Sequence, residues 1–218
     1  MTRRLFWDEP YRAAVDTVIS AVDGDRLTLR ETIFYAFSGG QESDRGSIAG
    51  LPVLEASIAD GQPRYSLPLG HGLRAGDSVT VAIDWERRYR LMRLHSAAEI
   101  LLQLAYRALP GAERIGAHIG ADKARLDFSW PQSLAPLLGS FAEELKAFVA
   151  DDLAIECGYS DESFERRYWR VPGLEAVPCC GTHPRRSGEL GALRLKRDNR
   201  GRGQERIEIY LEEPYSQG

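Results

Sequence analysis

Cysteine is scarce in this chain: three residues in 218, two of them adjacent at Cys179 and Cys180. An odd, clustered count makes a poor disulfide framework, so a reducing, cytoplasmic setting is expected, with thiols kept for chemistry. Histidine numbers only four and methionine two. No apolar run approaches the ~20 residues that a membrane-spanning helix needs, so no membrane partner is expected. The stretch Met1 to Glu9 carries two arginines and two acids but no apolar core of the kind a secretion leader requires. Repeats and low-complexity tracts are also missing. A composition of 43% hydrophobic and 28% charged residues is that of a folded chain.

Positive charge is in deficit too. The formal net charge of −4 argues mildly against a nucleic-acid binder taken as a whole. The distribution is uneven, however. From Arg185 to Arg206 eight basic residues (Arg185, Arg186, Arg194, Lys196, Arg197, Arg200, Arg202 and Arg206) face three acids. Arg87, Arg88, Arg90 and Arg93 form a second group. Each arginine taken singly reads as solvated surface; the two groups together suggest a phosphate-backbone contact.

The first part of the chain is patterned for strands. Thr17-Val18-Ile19, an Asp23-Gly24 turn and Arg26 to Leu29 read as a hairpin. Thr32 to Tyr35, Val53 to Ile58 and Val79 to Trp85 extend the set, the make-up of a small barrel. The character changes near Trp85 to Tyr89. His95 to Leu109 has a helical period ended by Pro110-Gly111, and Ile115 to Ile119 and Ala124 to Phe128 read as strands. Ser140 to Glu143 is a capping-box pattern opening a helix toward Val149. Leu193 to Lys196 and Ile207 to Leu211 predict a hairpin around a loop from Asp198 to Gly203. The expected architecture is α+β: a β-barrel domain over 1–88, then an α+β domain over 89–218.

What the chain does have is two pairs of metal-competent side chains. Cys179 and His183 share a loop that Gly181 allows to curl. His95 and Glu99 stand at i and i+4, on one face of the predicted helix. A thiolate, two imidazoles and a carboxylate make a four-donor set suited to Zn²⁺, and the two anions would neutralise its charge. Glu99 is the awkward ligand by type, the alternative being three protein donors and a water. A second constellation, Thr32 to Gly46, sets Gly39 and Gly40 before Gln41, where a ligand can approach backbone N–H groups closely.

Taken together these stretches resemble the free-standing alanyl-tRNA editing proteins (the AlaX family) and the editing domain of alanyl-tRNA synthetase. The strand-loop pattern is met by Thr32, Phe34, Tyr35, Gly39, Gly40, Gln41, Asp44 and Gly46. The Cys-Gly-Gly-Thr-His loop is met by Cys179, Gly181, Thr182 and His183, with Cys180 in place of a glycine. The His-x-x-x-His helix is met by His95, but Glu99 stands where the second histidine is usual. The resemblance implies an editing-type domain with zinc held by His95, Glu99, Cys179 and His183. It also implies a hydrolase that deacylates mischarged tRNA(Ala), with serine ahead of glycine as the wrong amino acid. Thr32, Gly39, Gly40 and Gln41 would then contact substrate, Thr32 and Gln41 taking part in catalysis, and Arg185 and Arg186 would meet the tRNA acceptor end. Glu99 adds negative charge at the metal and should blunt its Lewis acidity. A non-catalytic zinc-containing module of the same fold, binding RNA or another partner, is the alternative.

Overall fold

The computed structural model describes residues 1–201 and 203–213. It is a mixed α/β protein that divides into two compact units, Met1–Tyr89 and Arg90–Gly218. None of its described helices is long and apolar enough to cross a membrane.

The first unit is built from β1 (Arg3–Arg4), β2 (Ala14–Asp23), β3 (Arg26–Leu29), β4 (Glu31–Thr32), β5 (Gly46–Ile48), β6 (Leu51–Pro52), β7 (Glu55–Ala59), β8 (Gln62–Ser66) and β9 (Ser78–Ile83). Seven of these form one sheet in the order β6-β5-β9-β2-β3-β8-β7, while β1 pairs in parallel with β4. The sheet curls into a half-barrel, an open version of the barrel expected from sequence. The Asp23-Gly24 hairpin forms as predicted: Asp23 pairs with Arg26, and Gly24 supplies the positive φ of 63° that the turn demands. Val15, Ile19, Leu27, Leu29, Val79 and Val81 alternate inward along their strands and make the core with Ile33, Phe34 and Tyr65.

The run from Ile33 to Ala36 is buried but is not a strand, contrary to its β-prone composition. Its backbone is claimed by side chains. The Tyr35 N–H donates to Asp44 Oδ2 (2.7 Å), and the carbonyl of Ile33 accepts from Arg88 (2.6 Å). Gly46 is fixed by crowding: a Cβ there would lie 2.1 Å from the Ala82 carbonyl oxygen on the paired strand β9.

Helix α1 spans Trp85–Ala108, starting a good two turns earlier than its apolar period suggests. The arginines that looked like surface explain the miss. Arg87, Arg88, Arg90 and Arg93 are 6, 0, 6 and 6% exposed, and each is satisfied internally. Arg87 bonds Glu42 (2.5 Å), and Arg88 pairs with fully buried Asp44 and also reaches the Pro10 carbonyl (3.1 Å). Arg90 donates to Ala121 O (3.0 Å), and Arg93 to Leu190 O (3.0 Å) and Glu213 (2.8 Å). The aliphatic stems pack while the guanidinium groups find acceptors, so polar letters hide a buried face.

The second unit adds β10 (Glu113–Ile119), β11 (Ala124–Ser129), α2 (Leu138–Asp151), β12 (Glu156–Asp161), β13 (Arg166–Arg170), β14 (Val177–Pro178), β15 (Leu193–Gly201) and β16 (Gln204–Leu211). One sheet runs β10-β11-β16-β15, all antiparallel, and a second runs β12-β13-β14. The first sheet and the helices enclose a core of Leu94, Leu101, Leu126, Phe128, Phe141 and Ile207. Helix α2 begins before Ser140 and has no side-chain cap, so the capping box assigned to Ser140 and Glu143 does not form. The stretch expected to be a loop from Asp198 is largely paired strand, Asp198 lying opposite Arg206. Nothing in the sequence pattern anticipated β12 to β14, which are short and interrupted by charge.

Candidate metal centre

His95 lies inside α1, where 95, 96 and 99 are presented by neighbouring helical steps. Cys179 and His183 lie on the loop that leaves β14. The chain is steered there by the Cys179 N–H, which donates to the Arg167 carbonyl (3.1 Å) and prolongs the β13–β14 pairing by one residue. The fold brings His95, Cys179 and His183 together, with one donor atom from each lying within 4.8 Å of the others.

Cys179 Sγ is 3.6 Å from His95 Nε2 and 3.1 Å from His183 Nε2. With Zn–S near 2.3 Å and Zn–N near 2.0–2.1 Å, tetrahedral ligands would be separated by about 3.5 Å, so the observed spacing suits that ion. Both histidines are buried, and His183 Nδ1 is 2.8 Å from Ser96 Oγ, itself fully buried. A partner on the far ring nitrogen fixes the tautomer that frees Nε2 for a metal. The indole of Trp169 borders His183, with ring centroids 6.0 Å apart.

Glu99 lies outside the three-donor set, but its Oε1 is 3.3 Å from His95 Nε2. The electrostatics focus positive charge here. Burial disfavours a protonated His95, yet the Cys179 sulfur and the Glu99 carboxylate outweigh it and push its pKa up to about 10. His183 goes the other way, held well below an ordinary imidazole by burial and by the neighbouring charges of His95 and Arg167. A proton held this firmly on His95 has to leave before its ring nitrogen can ligate, so ion binding here is coupled to proton release.

The other predicted residues are placed as follows. Thr32 is fully buried in the first unit; its Oγ1 is 2.9 Å from Tyr65 Oη and accepts from the Phe34 N–H (3.0 Å). Gly39 and Gly40, with φ of 58° and 87°, form a two-residue turn closed by reciprocal bonds between Ser38 and Gln41 (3.0 and 3.3 Å). Gln41 is fully buried. Arg185 and Arg186 are exposed; Arg186 pairs with Asp152 (2.6 Å), and both backbone N–H groups donate to Glu189.

The basic run after Arg185 is less positive in space than in sequence. Arg197 pairs with Glu205, Arg206 with Asp127, Lys196 with Glu208 and Arg200 with Asp198. Arg202 lies outside the described residues. Sequence reasoning missed Ser96, Trp169 and Arg167. Ser96 alone carried a signal, as the neighbour of a candidate ligand on the same helix.

No family model matches the chain. It is similar, at 29% identity, to an alanyl-tRNA editing protein AlaX-M of Pyrococcus horikoshii, over 97% of this chain and 99% of that protein. The AlaX-M protein of Saccharolobus solfataricus is 27% identical over 95% of this chain and 98% of its own length. An alanine–tRNA ligase of Staphylothermus marinus is 30% identical over 89% of this chain, which corresponds to 24% of the ligase. Along nearly its whole length, then, the chain resembles the free-standing alanyl-tRNA editing proteins, the likeness its motifs carry in sequence.

Proposed function

We infer that the protein is a zinc-containing hydrolase of the cytoplasm that removes a wrong amino acid from mischarged tRNA(Ala), serine before glycine. The observation that carries this reading is the convergence of His95, Cys179 and His183 in a chain whose full-length relatives are named editing proteins. A small apolar synthetic pocket rejects serine or glycine poorly, so a second, hydrolytic site is the physical remedy. Bound zinc would supply Lewis acidity toward the ester or its attacking water.

The chain's own residues have these roles in the proposal. His95, Cys179 and His183 hold the ion, with Glu99 or a water as fourth ligand. Ser96 holds the His183 tautomer. Thr32 and Gln41 are assigned to the substrate's polar groups by their match to the family pattern, where a hydroxyl bound in serine and lost in alanine would separate the two. A substrate reaching Thr32 would have to displace its Tyr65 contact. Gly39 and Gly40 offer backbone N–H groups beside them. Arg185 and Arg186 would meet the acceptor end.

The test is a deacylation panel with zinc-loaded protein and seryl-, glycyl- and alanyl-tRNA(Ala). Hydrolysis of the first, sparing of the last, and loss of hydrolysis in a folded Gln41→Ala variant are expected. Absence of turnover above background for all three refutes the enzymatic reading.

A further inference from the structure

Arg167 is a positive charge built into the wall of the metal centre. Its strand β13 is paired on both sides: Tyr159 lies opposite Arg167 on β12, and Trp169 lies opposite Cys157 and Val177. Continuing the β13–β14 register one step sets Arg167 opposite Cys179, as their backbone bond of 3.1 Å requires. Directly opposed residues point to the same face, with Cβ atoms about 5 Å apart. Tyr159, Arg167 and Cys179 therefore form one row on the face from which Trp169 reaches His183.

The guanidinium is held rather than waving. Its carbon lies 4.4 Å from the centre of the Tyr159 ring, and Arg167 is only 5% exposed, whereas Tyr159 is 36% exposed. The groove of about 370 Å³ that touches Arg167 is lined mainly by the alternate face of the sheet, Tyr168, Arg170 and Pro178, and so lies behind this row. A planar cation fixed on an aromatic ring, one residue-row from a metal ligand, is suited to a phosphodiester.

We propose that Arg167, braced by Tyr159, binds the phosphate of the substrate RNA's terminal nucleotide and so delivers the esterified ribose to the metal centre. The proposal rests on the editing reading and adds a named subsite to it. The aminoacyl ester sits on the terminal ribose, and the phosphate one ribose-width away is the nearest permanent anion of such a substrate. Arg167 is on this account a substrate-binding residue, and Tyr159 a positioning one.

The experiment uses uncharged acceptor-stem RNA with a single-stranded 3′ end, and a matched RNA whose last phosphodiester is replaced by a neutral methylphosphonate. Dissociation constants are measured by fluorescence anisotropy with the full chain over a salt series. The wild-type protein is expected to bind the natural RNA about tenfold more tightly, and to lose about 0.7 from its log–log salt slope with the neutral RNA. Arg167→Gln should bind the two RNAs equally, Arg167→Lys should retain part of the discrimination, and Tyr159→Leu should weaken it. Equal binding of both RNAs by the wild-type protein, no RNA binding at low salt, or undiminished discrimination in folded Arg167→Gln overturns the proposal. Should Arg167→Gln fail to fold, the wild-type comparison and Tyr159→Leu decide it. Discrimination without any deacylation would retain this subsite and refute the editing activity instead.

Discussion

Removing one hydroxyl tests the metal centre from outside its ligand set. Ser96 Oγ lies 2.8 Å from His183 Nδ1, and both groups are buried. For Nε2 to face Cys179 and an ion, the proton must sit on Nδ1 and donate to Ser96. Ser96→Ala leaves that N–H in an enclosed space without its acceptor, which costs about 1–3 kcal/mol. At about 1.4 kcal/mol per decade this is roughly a 10–100-fold loss of zinc affinity, the usual effect of deleting such a supporting bond. A second route to relief, protonating the other nitrogen, removes the lone pair the metal needs and worsens the loss. Competition with a chromogenic chelator at fixed pH measures the constant directly, and thermal unfolding with excess zinc checks that the fold is intact. An affinity within twofold of wild type in a folded Ser96→Ala protein would refute both the tautomer and the zinc reading of the trio.

Three further outcomes follow from other parts of the molecule. Arg88→Met strands the fully buried Asp44 carboxylate and two carbonyls, so urea denaturation should show about 3–5 kcal/mol of destabilisation, partly recovered in Arg88→Met/Asp44→Leu; a loss below about 1 kcal/mol would contradict the pairing. Gly46→Ala drives a methyl into the Ala82 carbonyl and should cost roughly 2–4 kcal/mol, read as a lower melting temperature; an unchanged melt would show that β5 does not lie where it is placed. Burial works against ionised Glu208, but hydrogen bonds from Lys123 and Tyr210 hold its pKa below the usual carboxylate range. The folded pKa being depressed, this contribution is present above the unfolded value near 4.3 and is lost as pH falls through the folded value. Wild type should therefore exceed Glu208→Gln in stability at pH 7 by about 1 kcal/mol, with the gap closing below about pH 4. A gap that is constant from pH 7 to pH 3 would remove Glu208 as its source.

The parts of the fold legible in sequence are those where local pattern and burial agree. The hairpin of β2 and β3 shows because alternating apolar residues flank a turn whose glycine takes its positive φ without strain. Cys179, His183 and His95 show because few residue types can ligate zinc. Where long-range contacts decide, the letters mislead. Ile33 to Ala36 is a β-prone run whose backbone is held by Asp44 and Arg88, and the N-terminal half of α1 is a charged string that lies buried. Arg167 was invisible because only the pairing of three short strands brings it beside Cys179.

Consider finally the outer face of the four-stranded sheet, where Arg206 and Arg125 meet Asp127, and Lys123 and Lys196 meet Glu208. Bases spent on acids inside the same molecule project little field into solvent. A polyanion drifting past a chain of net charge −4 thus feels scant pull from a distance. Encounter would then proceed at the unsteered pace of about 10⁵–10⁶ M⁻¹s⁻¹. Recognition of such a ligand then falls to a few short-range contacts.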